Sequence, residues 1–361
     1  MANSTFTRVT VAIVAWLLIM FGLAGVYLWQ WLQTEQAVPV SKRILVVEKG
    51  QGVGSVANAL TQRDLLRWPL VWRLYARFLQ PETLKAGEYA LAAYESPITL
   101  LTRLQGGEVI SYNVTFAEGL TLKQWLALLK AEPKLKQITG DMTAAQIAGE
   151  LGISELNPEG WFFPDTYRFE KGDSDLDVLR RAYNKMQIEL ASQWARRQPS
   201  LPYDSAYEAL IMASIIERET GVPYERPDIA GVFVRRLQKR MRLQTDPTVI
   251  YGMGDEYTGR IRRIHLETPT PYNTYVIKGL PPTPIANPGR EAIAAAVNPA
   301  DGPALYFVAK GDGSHQFSAT LEQHNKAVRK YQLKRRADYS STVKPVAPTA
   351  ASSSASAEGD K

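Results

Sequence analysis

Ala206-Tyr207-Glu208-Ala209-Leu210-Ile211-Met212-Ala213-Ser214-Ile215-Ile216-Glu217-Arg218-Glu219 is the stretch that decides the fold. The run from Ala209 to Ile216 is apolar all round, which predicts a central, buried helix rather than an amphipathic surface one. At 100° per residue Glu217 falls between Ala213 and Leu210 with Ser214 nearby, and Glu219 falls beside Met212 and Ile215. A carboxyl at the end of a buried helix is costly unless it is paired, protonated or functional. Burial raises a carboxyl pKa, and a glutamate holding its proton near neutral pH is suited to general acid catalysis. The pattern leaves two alternatives open: either glutamate is such an acid, or it is satisfied by Arg218, Arg226 or a loop amide.

Working outward, 361 residues with 45% apolar and 22% charged side chains leave room for about two domains with real cores. The absence of cysteine excludes a disulfide scaffold, a zinc finger and a thiol nucleophile. Three histidines (His265, His315, His324) offer little for a metal site, and neither metal nor cofactor is expected. The net charge of +6 suits an anionic surface or polymer. The basic runs Arg235-Arg236, Lys239-Arg240 and Lys334-Arg335-Arg336 read as solvated helix faces, or as lying near anionic lipid or stem-peptide carboxylates, rather than as a nucleic-acid site.

Residues 9–32 carry no charge, and a helix of that length spans about 36 Å, enough to cross a hydrocarbon core. Tyr27, Trp29 and Trp31 cluster at its far end, where amphipathic rings favour the interface. Only Arg8 precedes the span, and Lys42 and Arg43 follow it, so charge leaves orientation open. Residues 33–43 read as a tether. A strand at Ile44–Val47, a turn through Gly50, Gly52 and Gly54, and a helix from Ser55 follow. The pattern recurs 69 residues later, Gly50 matching Gly119 and Leu60 matching Leu129, with Gly87–Leu91 as an intervening strand. The GxGxG spacing is neither a dinucleotide fingerprint nor a P-loop. The two units are expected to pack on each other in a LysM-like βα region over residues 44–156. Residues 157–339 form a second domain of mixed helices and strands, and residues 340–361 a solvated Ser/Ala-rich tail. The fold class is therefore α+β behind an N-terminal transmembrane helix.

Pro-stiffened loops surround the decisive helix in sequence: Arg242-Leu243-Gln244-Thr245-Asp246-Pro247-Thr248-Val249-Ile250-Tyr251-Gly252, Tyr272-Asn273-Thr274-Tyr275, and Gly279-Leu280-Pro281-Pro282 running on to Asn287-Pro288-Gly289. Polar and aromatic side chains on such loops suit a wall for a sugar chain. These motifs, with Ala213–Thr220, Glu159-Gly160-Trp161 through Pro164-Asp165-Thr166-Tyr167, and Leu305-Tyr306-Phe307-Val308, resemble the YceG/MltG family of endolytic murein transglycosylases. The resemblance runs from the membrane anchor to about Tyr331. It implies Glu217 as the catalytic acid, with Glu219 and Ser214 in support. Gln244, Asp246, Tyr251, Asn273, Tyr275 and Pro281 are the expected substrate-binding residues. It also implies cleavage of the MurNAc–GlcNAc bond within glycan strands to 1,6-anhydro ends, since the C6 hydroxyl of the sugar can replace a second carboxylate. An inner-membrane anchor with a cytoplasmic N-terminus, a periplasmic enzyme and neighbouring peptidoglycan synthases follow from the same resemblance. The rival expectations are a muramidase-type hydrolase using Asp246 or Glu219 as second carboxylate, and a wall-binding protein without catalysis.

Overall fold

The computed structural model describes residues 2–333; the expected tail at 340–361 and the Lys334-Arg335-Arg336 run lie outside the described residues. In chain order the elements are α1 (Ala2–Gln33), β1 (Gln36–Ala37), β2 (Ile44–Val47), α2 (Val53–Gln62), α3 (Pro69–Phe78), β3 (Gly87–Ala90), β4 (Tyr94–Glu95), α4 (Pro97–Gly106), β5 (Ser111–Thr115), α5 (Leu122–Lys130), α6 (Ala144–Leu151), β6 (Thr166–Glu170), α7 (Asp175–Ala195), α8 (Ala206–Glu219), α9 (Arg226–Gln238), α10 (Asp246–Met253), α11 (Arg263–Glu267), α12 (Arg290–Val297), β7 (Tyr306–Ala309), β8 (His315–Ser318) and α13 (Leu321–Val328). The class is mixed α+β, with every sheet a two-stranded ribbon.

The chain divides into two compact units, one of residues 1–114, 132–137 and 168–174, the other of 115–131, 138–167 and 175–361. In the first, the segment Arg8–Gln33 of α1 is long and apolar enough to cross a membrane. β2 pairs antiparallel with β3, Leu45 opposite Tyr89. Leu45 and Val47 point inward while Ile44 and Val46 do not, the two-residue alternation of a half-buried strand. Against them pack Val56, Ala57 and Leu60 of α2, Trp72 of α3 and Leu100, Leu101 and Leu104 of α4. Trp72 is fully buried, and its indole N–H donates to the Pro97 carbonyl at 2.8 Å, so its polar end is satisfied. α4 begins at a Ser96–Thr99 capping box and ends at Gly107 in the left-handed region, φ 75°. Glu88 of β3 is buried and accepts from Tyr112 and from Lys134, with Lys171 at 3.5 Å, so both returning segments are tied to this sheet.

The second unit is organised on α8, which contacts α7, α9, α10 and α12. Ala209 to Ile216 are buried on every side, as the apolar run predicts. Ser205 caps the helix, its hydroxyl accepting the Glu208 N–H. The β7–β8 hairpin pairs Phe307 with Phe317, and a buried Glu225–His315 pair, 2.7 Å apart, joins it to the start of α9.

Three expectations need correction. The two βα repeats do not share a core: the second, with α5, belongs to the second unit. Its apolar face is covered there by aromatic rings, Trp125 stacking on Phe116 with centroids 3.7 Å apart and Phe162 at 5.8 Å. The boundary is accordingly not at residue 157. Residues 246–252 of the expected Arg242–Gly252 loop belong instead to α10, with Pro247 in its first turn where no N–H is needed. Arg235 and Arg236 are not solvated either. Arg235 donates to the carbonyls of Ala300 and Ala304, and the buried Arg236 to those of Leu243 and Leu305.

Candidate active site

Glu217 and Glu219 stand in the last turn of α8, where the helix dipole disfavours negative charge. Each is accommodated differently. The Glu217 side chain is only 5% exposed, and both of its oxygens are engaged. Oε1 accepts from Arg226 Nη2 at 2.9 Å, and Oε2 accepts the Gly289 N–H at 2.9 Å. Gly289 is the N-cap of α12, so the carboxylate lies at the positive end of a second helix. Of the three pairing partners envisaged from sequence, Arg226 and a loop amide are thus present together, while Arg218 donates to the Gly119 carbonyl instead.

Arg226 opens α9, and its side chain is 8% exposed. It gathers two further carboxylates. Glu291 Oε2 lies 2.6 Å from Nη1, and Glu118 Oε2 lies 3.4 Å from the same Nη2 that holds Glu217. Glu118 reaches the cluster because its loop is fastened to α8 and to the loop before α12. The Gly119 carbonyl accepts from Arg218 Nη1, and the Gly119 N–H donates to the Asn287 carbonyl. Gly119 has φ 76°, so the turn depends on glycine. Burial, the Glu217 charge and, less strongly, the Glu291 charge raise the pKa of Glu118 above the usual carboxylate range, against the opposing pull of Arg226.

Glu219 belongs to a different network. It accepts from Thr245 Oγ1 at 2.9 Å, and burial pushes its pKa up to about 7, opposed by that bond. Thr245, Thr248 and Thr274, all fully buried, bond one another and lock the segment before α10 and its first turn to the 272–276 loop. Above this knot Tyr275 donates to Asp246 Oδ1 at 2.7 Å. Gln244 is exposed and sits at φ 50°, a left-handed conformation that is uncommon outside glycine.

The remaining expected residues divide by exposure. Tyr251 packs edge-on against Tyr272 and donates to Glu159 Oε2 at 3.3 Å. Pro281 is buried in its loop. Ser214 is buried; its hydroxyl donates to the Ile211 carbonyl and accepts the Ile285 N–H, which fixes the 279–289 loop on α8. Asn273, expected to meet sugar, is instead 1% exposed. Its amide nitrogen is within 3.1 Å of the carbonyls of His265, Leu266 and Thr268, and its oxygen accepts the Tyr275 N–H. That capacity is spent on shaping the loop.

Three residues of weight were missed as site candidates. They are Glu118, Gly289 and Glu159, none of them among the expected site residues. Glu159 is buried and accepts the Leu122 N–H at 2.9 Å, and burial raises its pKa to about 7. Asn287, fully buried, connects it to the Glu118 loop by bonding the Leu120 carbonyl, the Phe162 N–H and Glu159. The signal available in sequence was a glutamate directly before a turn glycine, twice: Glu118-Gly119 and Glu159-Gly160.

The YceG-like family model matches residues 45–330. The chain is 31% identical over 305 residues to an endolytic murein transglycosylase of Bacillus subtilis strain 168, covering 79% of this chain and 83% of that protein. It is 26% identical to an endolytic murein transglycosylase of Streptococcus pneumoniae serotype 2 over 78% of this chain, which spans 57% of the relative's length. The crystal structure of a YceG-like protein from Listeria monocytogenes superposes with a TM-score of 0.50 at 28% identity, covering 81% of this chain and 99% of that one. On the extent of the family match and the Bacillus relative together, the chain belongs to the YceG-like family.

Proposed function

We propose that this chain is a membrane-anchored endolytic murein transglycosylase with Glu217 as its central catalytic residue. The observation that carries the reading is the buried Glu217 carboxylate held by Arg226 and the Gly289 N–H, in a chain similar over most of its length to proteins named for that activity. Cleavage of the MurNAc–GlcNAc β-1,4 bond needs a proton for the leaving oxygen. Closure of a 1,6-anhydro ring needs a base for the C6 hydroxyl. A carboxyl cluster on a rigid helix end provides for both without a water nucleophile. In this reading Gln244, before α10, Asp246 at its start, and Tyr275, which donates to Asp246, hold sugar and acetamide.

Arg8–Gln33 anchors the enzyme in the inner membrane, with the N-terminus cytoplasmic and the catalytic unit periplasmic, where nascent strands and their synthases are found. A hydrolase is the second reading, and one observation favours it: Glu118 places a second carboxyl beside Glu217 across a single guanidinium nitrogen. Product mass separates the two, because a 1,6-anhydro end is one water lighter than a reducing end. Mass analysis of wild-type digests of nascent glycan is expected to show anhydro ends. Glu217→Gln is expected to yield none while folding normally, and a folded, active variant refutes the assignment.

A further inference from the structure

Arg226 faces three carboxylates with one positive charge. If Glu118, Glu217 and Glu291 were all ionised, the cluster would hold a net charge of minus two around a nearly buried guanidinium. Carboxylates crowded in this way retain a proton, as in dyads where two acids share one. The three are not equivalent. Glu217 is enclosed and accepts a hydrogen bond at both oxygens. Glu291 is 62% exposed and pairs closely with Nη1. Glu118 is 47% exposed and makes the longest contact, 3.4 Å. Its carboxyl covers Gly289 so closely that a Cβ there would stand 1.8 Å from Oε1. The group that keeps the proton most readily is therefore also one that reaches the open side of the cluster.

We propose that Glu118 is a second catalytic carboxyl: it donates the proton to the leaving glycosidic oxygen, and Glu217 takes the proton of the C6 hydroxyl. This division of labour rests on the transglycosylase reading above. The Glu118 O–H bond breaks as its proton passes to the GlcNAc O4, and the C1–O4 bond breaks with it. O6 then bonds C1 as its proton goes to Glu217. Transfer of that proton from Glu217 to Glu118, two acids sharing Nη2 of Arg226, restores the starting state, and nothing else is consumed.

The test compares the full-length wild type, Glu118→Gln and Glu217→Gln on native glycan strands and on an aryl glycoside of a short murein oligosaccharide, whose phenolate leaves without protonation. Glu118→Gln should lose about 10²–10⁴-fold on native strands, yet keep the aryl glycoside within about tenfold and lose the alkaline limb of its pH profile. Glu217→Gln should lose both substrates. Gly289→Ala, which displaces Glu118 without removing it, should show the Glu118→Gln contrast more weakly, and it serves if Glu118→Gln fails to fold. Wild-type cleavage of native strands by Glu118→Gln overturns the proposal. So does an equal loss on both substrates in a folded variant, which would make Glu118 only a brace for Arg226. Reducing ends in the wild-type products would instead sink the transglycosylase reading, and the contrast between the two substrates would still report whether Glu118 is the acid.

Discussion

Glu217 and Arg226 lie 2.9 Å apart, both nearly excluded from solvent, one at the end of α8 and the other at the start of α9. An acid buried beside a fixed cation is oriented without depending on mobile water. It is also a liability, because removal of Arg226 leaves the buried carboxylate uncompensated, whereas Arg226 without Glu217 still faces Glu118 and Glu291. Arg226→Met is expected to destabilise the protein by roughly 3–5 kcal/mol and to abolish strand cleavage. Arg226→Lys should retain the fold but lose the bridge that holds Glu217 and Glu291 on separate nitrogens. Chemical denaturation beside a cleavage assay reads both; unchanged stability in Arg226→Met would contradict the pairing.

Gly289→Ala probes the cluster without removing a charge. The backbone there has φ −82°, which alanine adopts freely, so strain is not the issue. The added methyl meets the end of the Glu118 side chain, which can swing aside. A thermal midpoint within a few degrees of wild type is expected, with cleavage of native strands reduced on the order of tenfold. Full activity would show that the Glu118 position is irrelevant.

The pH dependence of stability carries a definite sign. Glu159 and Glu219 each have a folded pKa raised to about 7, chiefly by burial, from an ordinary value of 4.5. Between those values the folded protein holds protons that the unfolded chain releases. The stability they contribute is therefore complete below about pH 4.5 and is lost as pH rises through about 7. Denaturation midpoints should fall across that window, and Glu159→Gln should flatten the fall while keeping an acceptor for the Leu122 N–H. A variant with the wild-type slope would show that Glu159 does not titrate there.

Asn273 offers a loop-specific test. Asn273→Ala leaves the carbonyls of His265, Leu266 and Thr268 without their shared donor, at a cost of roughly 1–3 kcal/mol. Because the side chain is enclosed, any loss of activity should follow loss of stability and recover at lower temperature. A defect confined to substrate affinity in a fully stable variant would return Asn273 to the glycan-binding surface.

The apolar run of α8 was legible because an unbroken apolar stretch is a local signal, and so was the placement of two costly glutamates at its end. The partners of Glu217 were not, because they are Arg226, across a turn, and Gly289, 72 positions further along the chain. The glycine turns of the two βα copies are alike in fact, Gly50 at φ 86° and Gly119 at φ 76°. What differs is the cover over the following helix. For α5 that cover comes from Phe116 and Phe162, and periodicity does not name a helix's partner. Glu118 went unseen as a site residue for the same reason, since its partners lie on α9 and at the head of α12.

The chain leaves the first unit at residue 114, returns for 132–137, and returns again for 168–174. A protease cutting once between residues 114 and 132 would therefore not shed a free catalytic fragment, because each piece keeps segments that the other needs. On the proposed anchoring, a cut in α1 or just after it is the kind that leaves the remaining segments of both units on one piece of chain.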